Sequence, residues 1–325
     1  DWSWALSAGG LDHDMGEDIA TDDFGNVYVT GSYTRTGEFG DYTLGNTSSA
    51  FDKSSFVGKI DEMGNWIWVK NAGGAGDTGL SVSQDGVFVT GSYSSDLYFD
   101  SLVLNASLAN GAKIFVAKLD FNGNWLWAEG AGVNSGSINS PTGITVESIS
   151  SDTFGNNYIT GDIRSNSATF GSITLSTYGD SGSGNSQLHE SGYVAKIDNN
   201  GTWIWARNAL GQCGMHDIDV GTTDQIYVTG QTFGHCTFGN SVSIIPDNQE
   251  STELLLAKID DEGNWLWATS DGRGDGQDIG YSLVIDDQND ILVTGKFTKT
   301  SSFGSGENMT NFTSSGGSDF FVAKY

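Results

Sequence analysis

All ten tryptophans of this 325-residue chain fall in five Trp-x-Trp pairs: Trp2/Trp4, Trp66/Trp68, Trp125/Trp127, Trp203/Trp205 and Trp265/Trp267. Two further motifs keep step with them. An aromatic-or-leucine, Val/Ile, Thr, Gly tetrad stands at 28–31, 88–91, 158–161, 227–230 and 292–295, its glycines 60, 70, 69 and 65 residues apart. A third motif, "FVGKID" in its first copy, stands at 56–61, 115–120, 193–198, 255–260 and 321–325. Five copies of one unit restrict the chain to a repeat architecture, in which each unit buries its apolar face against its neighbours.

Within a unit, apolar runs flank turns rich in Asp, Gly and Asn, the signature of β-hairpins. The first unit predicts four strands: one around Ile19, then Val27 to Thr30, Phe56 to Ile60 and Trp66 to Lys70. No segment sustains a helical period. The expected fold is all-β, a five-bladed β-propeller with four-stranded antiparallel blades. Its blades are expected at about 14–70, 77–129, 141–207, 214–269 and 278–325, the last completed by 1–5. Residues 1–5 would pair with 320–324 and close the ring, hiding two sheet edges. The units exceed the roughly 40–45 residues of an ordinary blade. The excess, at 32–54, 92–113, 162–191, 231–252 and 296–318, carries Phe39-Gly40, Phe99-Asp100, Phe170-Gly171, Phe238-Gly239 and Phe303-Gly304. A short extra hairpin per blade is expected there.

Tryptophan pairs raise the question of ligand stacking. Residues two apart in a strand share a face, so both indoles of a pair are expected to cover the neighbouring blade. Five recurrences in the same strand point to the frame rather than to a ligand.

These residues resemble the SBBP β-propeller repeat of secreted bacterial and archaeal proteins, with similarity to the NHL repeat as well. "IATDDFGNVYVTGSY", "FGDYTL" and "FVGKIDEMGNWIWVKNAGG" carry the resemblance, which extends over all five units. It implies a propeller fold and an extracellular or cell-surface setting, and names no ligand.

Lys+Arg 14 against Asp+Glu 41 gives a net charge of −27, a surface that repels nucleic acid and anionic membranes. Five of the cations are repeat positions: Lys59, Lys118, Lys196, Lys258 and Lys324. No apolar run approaches the roughly 18 residues of a membrane span. The chain opens at Asp1, which reads as a mature or excised segment.

Function is expected where the copies differ, in the loops between units and in the insertions. Candidate ligand-contacting residues on that face are Asp12, Asp14, Glu17, Asp77, His216, Asp217, Arg273, Asp275 and Asp278. Asp12, Asp14 and Glu17, and separately Asp271, Asp275 and Asp278, are candidate calcium ligands, because clustered carboxylates on glycine-rich loops suit an oxygen-seeking cation. The alternative is an acidic loop in water. Arg273-Gly274-Asp275 is an integrin-type tripeptide that short Gly/Asp-rich loops also produce by chance. Cys213 and Cys236 are expected to form a disulfide, and a zinc site with His216 and His235 is the alternative. Sequons stand at Asn46, Asn105, Asn200, Asn308 and Asn311. The expected function is a non-catalytic recognition or adhesion module for a glycan or surface protein. Alternatives are a self-associating subunit of a surface layer, fibre or appendage, and a glycoside hydrolase using Asp18, Glu147 and Asp219.

Overall fold

Apolar alternation yields strands at each repeat motif, and no α-helix occurs among the described residues. The structure, a computed structural model, describes residues 2–45, 53–73, 78–106, 113–133, 143–177, 191–222, 224–239, 241–246, 251–304 and 308–325. The chain divides into two compact units, Asp1–Asn157 with Ile197–Thr202, and Tyr158–Lys196 with Trp203–Tyr325.

In the first unit, Met15–Thr21, Val27–Thr34, Lys53–Ile60 and Trp66–Gly73 pair antiparallel in that order. Thr78–Ser83, Gly86–Tyr93, Lys113–Leu119 and Trp125–Val133 repeat the plan. The expected extra hairpins follow each second strand, Thr36–Phe39 with Tyr42–Gly45 and Leu97–Phe99 with Leu102–Leu104. Tyr28, Val57 and Trp68 of one sheet share a core with Leu80, Val89 and Phe115 of the other.

In the second unit, Asn157–Arg164 and Ser191–Ile197 lead to Trp203–Val220, an 18-residue strand that ends one sheet and begins the next. Ile226–Phe238, Glu253–Ile259 and Trp265–Asp271 follow it. Ile279–Ile285, Ile291–Phe297 and Asp319–Lys324 form a further three-stranded sheet.

The hairpin turns that open with aspartate share one device. In Asp61-Glu62-Met63-Gly64-Asn65, Asp61 Oδ1 accepts the amides of Met63 and Asn65 at 2.9 and 2.8 Å. Gly64 adopts φ +87°, and its amide donates to the Asp61 carbonyl. The Asn65 side chain and these amides hold the Asp61 carboxyl below its ordinary range. At Asp120 burial opposes the shift, but hydrogen bonds from Asn124 and Asn122 outweigh it.

Closure of a ring by residues 1–5 is not seen among the described residues, and the shared face of the tryptophan pairs needs correction. Trp2–Ala5 form no strand, Trp2 is 95% exposed, and Asp319–Lys324 stands as the outer strand of three. Trp4 alone is anchored, and one docked side chain supplies none of the ladder bonds that define a strand. The paired tryptophans also do not share a face. Trp68 stands opposite Lys59 and Trp66 opposite Ile60, so two positions of the outer strand span one step of its partner. The same β-bulge recurs at Lys118/Leu119 and Lys258/Ile259.

Candidate functional site

The bulge gives each indole of a pair a separate task. The first packs inside its own repeat: Trp66, Trp125, Trp203 and Trp265 lie 5.5, 4.7, 5.2 and 5.0 Å from the rings of Phe39, Phe99, Phe170 and Phe238. The phenylalanines of the insertions are therefore frame residues too. The second indole reaches the next repeat's turn. Trp4 Nε1 donates to the Glu62 carbonyl (3.1 Å), Trp68 to Phe121 (3.1 Å), Trp127 to Asn199 (3.0 Å) and Trp205 to Asp261 (2.7 Å). Each acceptor directly follows the turn aspartate. The turn glycine lies beneath the ring: a Cβ on Gly64, Gly123, Gly201 or Gly263 would fall within 3.0 Å of the indole.

The repeated lysines complete this lock. Lys59, Lys118, Lys196 and Lys258 place Nζ 5.0 to 5.2 Å from the ring centroids of Tyr28, Phe88, Tyr158 and Tyr227. Lys324 pairs instead with Asp286 and Asp290, at 3.2 and 2.7 Å. The frame thus uses the most chemically conspicuous residues of the chain.

Asp12, Asp14 and Glu17 do not converge. Asp12 pairs with Arg35 at 3.4 Å. Asp14 accepts the amides of Gly10 (2.5 Å) and Thr34 (3.2 Å), shaping its own loop. Glu17 accepts from Ser32 Oγ and from both the amide and hydroxyl of Thr78, at 2.7 to 2.8 Å. Asp217 is a similar pin, since its Oδ2 accepts from Ser282 Oγ and the Leu283 amide at 2.8 Å. Asp18 and Asp219, two of the hydrolase candidates, accept the Leu80 and Ile285 amides. Glu147 is exposed. Asp77 and Asn46 lie outside the described residues.

The loop of residues 271–278 does gather carboxylates. Asp278 is fully buried; its Oδ1 accepts from Ser301 Oγ at 2.6 Å, and its Oδ2 has no hydrogen-bond partner. Burial, with the charges of Glu253 and Asp271, pushes its carboxyl up to about 7, although Ser301 pulls the other way. Asp271 Oδ2 accepts the Gly304 amide (2.8 Å) and the Tyr325 hydroxyl (3.2 Å). Asp275 is exposed, and its carbonyl accepts from Lys299. Arg273 is exposed within Arg273–Gly274, which pairs with Ser301 and Ser302. Among the described residues no three His, Cys, Asp or Glu side chains are grouped as metal ligands.

Cys213 and Cys236 form a disulfide, so neither sulfur is a thiolate free to bind zinc. His216 places Nδ1 2.9 Å from the Gly280 carbonyl and stacks on Tyr281, while His235 is exposed. The described sequon asparagines, Asn105, Asn200, Asn308 and Asn311, are all exposed. Glu253, Tyr281, Lys296 and Ser301 were not legible as site residues, since no motif marks them.

Antiparallel sheets repeated along the chain, with indoles locked onto successive turns, are consistent with a β-propeller repeat protein. Residues 6–32 match the family model described as the SBBP β-propeller repeat, the family that the motifs resemble. No curated protein matches the chain. Among solved structures, the chain is similar to a protein of unknown function from Bacteroides caccae, determined at 1.35 Å. That pair shares 9% identity over 79% of this chain and 69% of the other, with a TM-score of 0.36.

Proposed function

We propose that the chain is a non-catalytic extracellular recognition or adhesion module that binds a glycan or surface protein through its variable loops. One observation carries the reading. The positions that repeat are engaged in the frame, whereas the loops between repeats differ in sequence and hold exposed residues such as Arg273 and Asp275. Rigid sheets that present diverse loops are how binding modules are built. The disulfide agrees with an oxidising compartment.

Five repeats would form five blades of one ring, with residues 1–5 as the outer strand beside Asp319–Lys324. In support, Trp4 sits on the turn after Asp61 as Trp68, Trp127 and Trp205 sit on theirs. Trp4 thus takes the place that the second indole of a pair takes on the turn of the next repeat. Calcium enters the proposal as a modulator, at the loop that holds Asp271 and Asp278.

A second reading, a self-associating surface subunit, is favoured by Phe320 and Val322, 80% and 64% exposed on the outer strand of its sheet. A glycan array with and without calcium, run beside sedimentation velocity, tests both. The module stays monomeric and binds a restricted set of glycans. Concentration-dependent assembly without glycan binding would favour the subunit, and turnover of a polysaccharide would make the chain a hydrolase.

A further inference from the structure

Two inner strands of the second unit carry β-bulges where Met15–Thr21 carries one at Glu17, and the bulged residues differ in type. A register shift between Met215 and Asp217 leaves His216 outside the ladder, and one between Gly280 and Ser282 leaves Tyr281 outside it. A bulge re-aims its side chain, so these residues are not held to the alternation that packs the sheets. Their rings stack, with centroids 5.9 Å apart and planes 26° apart. The Gly280 carbonyl can only accept, so its contact with His216 Nδ1 at 2.9 Å fixes the hydrogen on that nitrogen. In the neutral ring, Nε2 is then an acceptor.

Tyr281 is 48% exposed, and Lys296 Nζ lies 5.8 Å from its ring centroid. Lys296 is distinctive in a chain of net charge −27. Among the described residues it makes neither a hydrogen bond nor an ion pair, whereas Lys196 pairs with Asp261, Lys258 with Gln225 and Lys324 with Asp286. Asp217 Oδ2 accepts from Ser282 Oγ and the Leu283 amide.

We propose that His216, Tyr281 and Lys296 form a subsite for an acidic sugar, an inference that rests on the glycan-binding reading above. The ammonium matches the sugar carboxylate. The exposed part of the Tyr281 ring covers the C–H surface of the pyranose, and His216 Nε2 accepts from a hydroxyl. A neutral sugar leaves Lys296 without a counter-charge, and a small inorganic anion leaves the tyrosine ring unused.

The test is an array of uronate- and sialate-bearing glycans, each beside its carboxyl-reduced counterpart, probed with the full chain. The unsubstituted protein prefers the acidic member of a pair. Lys296→Gln abolishes the preference by weakening the acidic member about tenfold or more, and Lys296→Arg keeps it. Tyr281→Ala weakens both members. Melting temperatures confirm that each variant is folded. Glycan binding with no acidic preference, or a preference untouched by Lys296→Gln, overturns the subsite and leaves the module reading standing. Binding of no glycan overturns both.

Discussion

The lock between an indole and the next turn makes a quantitative prediction, because glycines of nearly identical conformation differ only in what lies above them. Gly25 and Gly123 both end Asp-x-x-Gly turns, with φ of +79° and +83°. A Cβ on Gly25 would meet nothing closer than Glu62 Cβ at 3.8 Å. A Cβ on Gly123 would fall 2.8 Å from Trp68 Cδ2 and 3.1 Å from Cγ and Cε2. Gly25→Ala therefore costs only the left-handed conformation, about 1–2 kcal/mol. Gly123→Ala costs the same and also forces the indole back by roughly 0.7–1 Å, which forfeits a quarter to a half of each affected contact. The displacement strains the Trp68 Nε1 bond to the Phe121 carbonyl, now 3.1 Å, a bond worth roughly 1 kcal/mol. Overpacking of this kind costs about 1–3 kcal/mol, so Gly123→Ala should be less stable than Gly25→Ala by about 2 kcal/mol. Chemical denaturation of both variants, followed by tryptophan fluorescence, measures the difference. Equal losses in the two variants would refute the lock.

Two further outcomes follow from the second unit. Intact mass should rise by two hydrogens on reduction. Replacing Cys213 and Cys236 by Ser should then cost about 3 kcal/mol, from chain entropy over a sequence separation of 23 residues. Unchanged stability would show that the bond does not constrain the fold. Asp278 ionises near 3.8 when unfolded but holds its proton to about 7 when folded. Its contribution is therefore fully present below pH ~4 and is lost as pH rises to ~7, by roughly 4 kcal/mol at most. Asp278→Asn cannot ionise, so its melting temperature should gain on the unsubstituted protein between pH 4 and 8. A constant gap across that range contradicts this account of the buried carboxyl.

The repeats, the hairpins and the insertions were legible because each depends on residue type at a fixed spacing, and the Cys213–Cys236 bond because the chain has two cysteines and an expected extracellular setting. The bulge at Lys59/Ile60 was not, because it is a property of pairing between strands; spacing alone placed Trp66 and Trp68 on one face. The acidic loops misled for a related reason. Asp12-x-Asp14-x-x-Glu17 looks convergent in sequence, yet its three carboxylates reach Arg35, the Gly10 amide and Thr78. Tyr281 and Lys296 were invisible because only the bulge and the missing ion partner distinguish them.

The central proposal is that five repeats make one ring closed by residues 1–5, and hydrogen exchange on the monomeric protein tests it most directly. The amides of Trp2–Ala5 and of Asp319–Lys324 should be protected together, to the extent seen in the outer strand Trp66–Gly73. Exchange at Trp2–Ala5 as fast as in an unstructured peptide, with Trp66–Gly73 protected, would contradict ring closure.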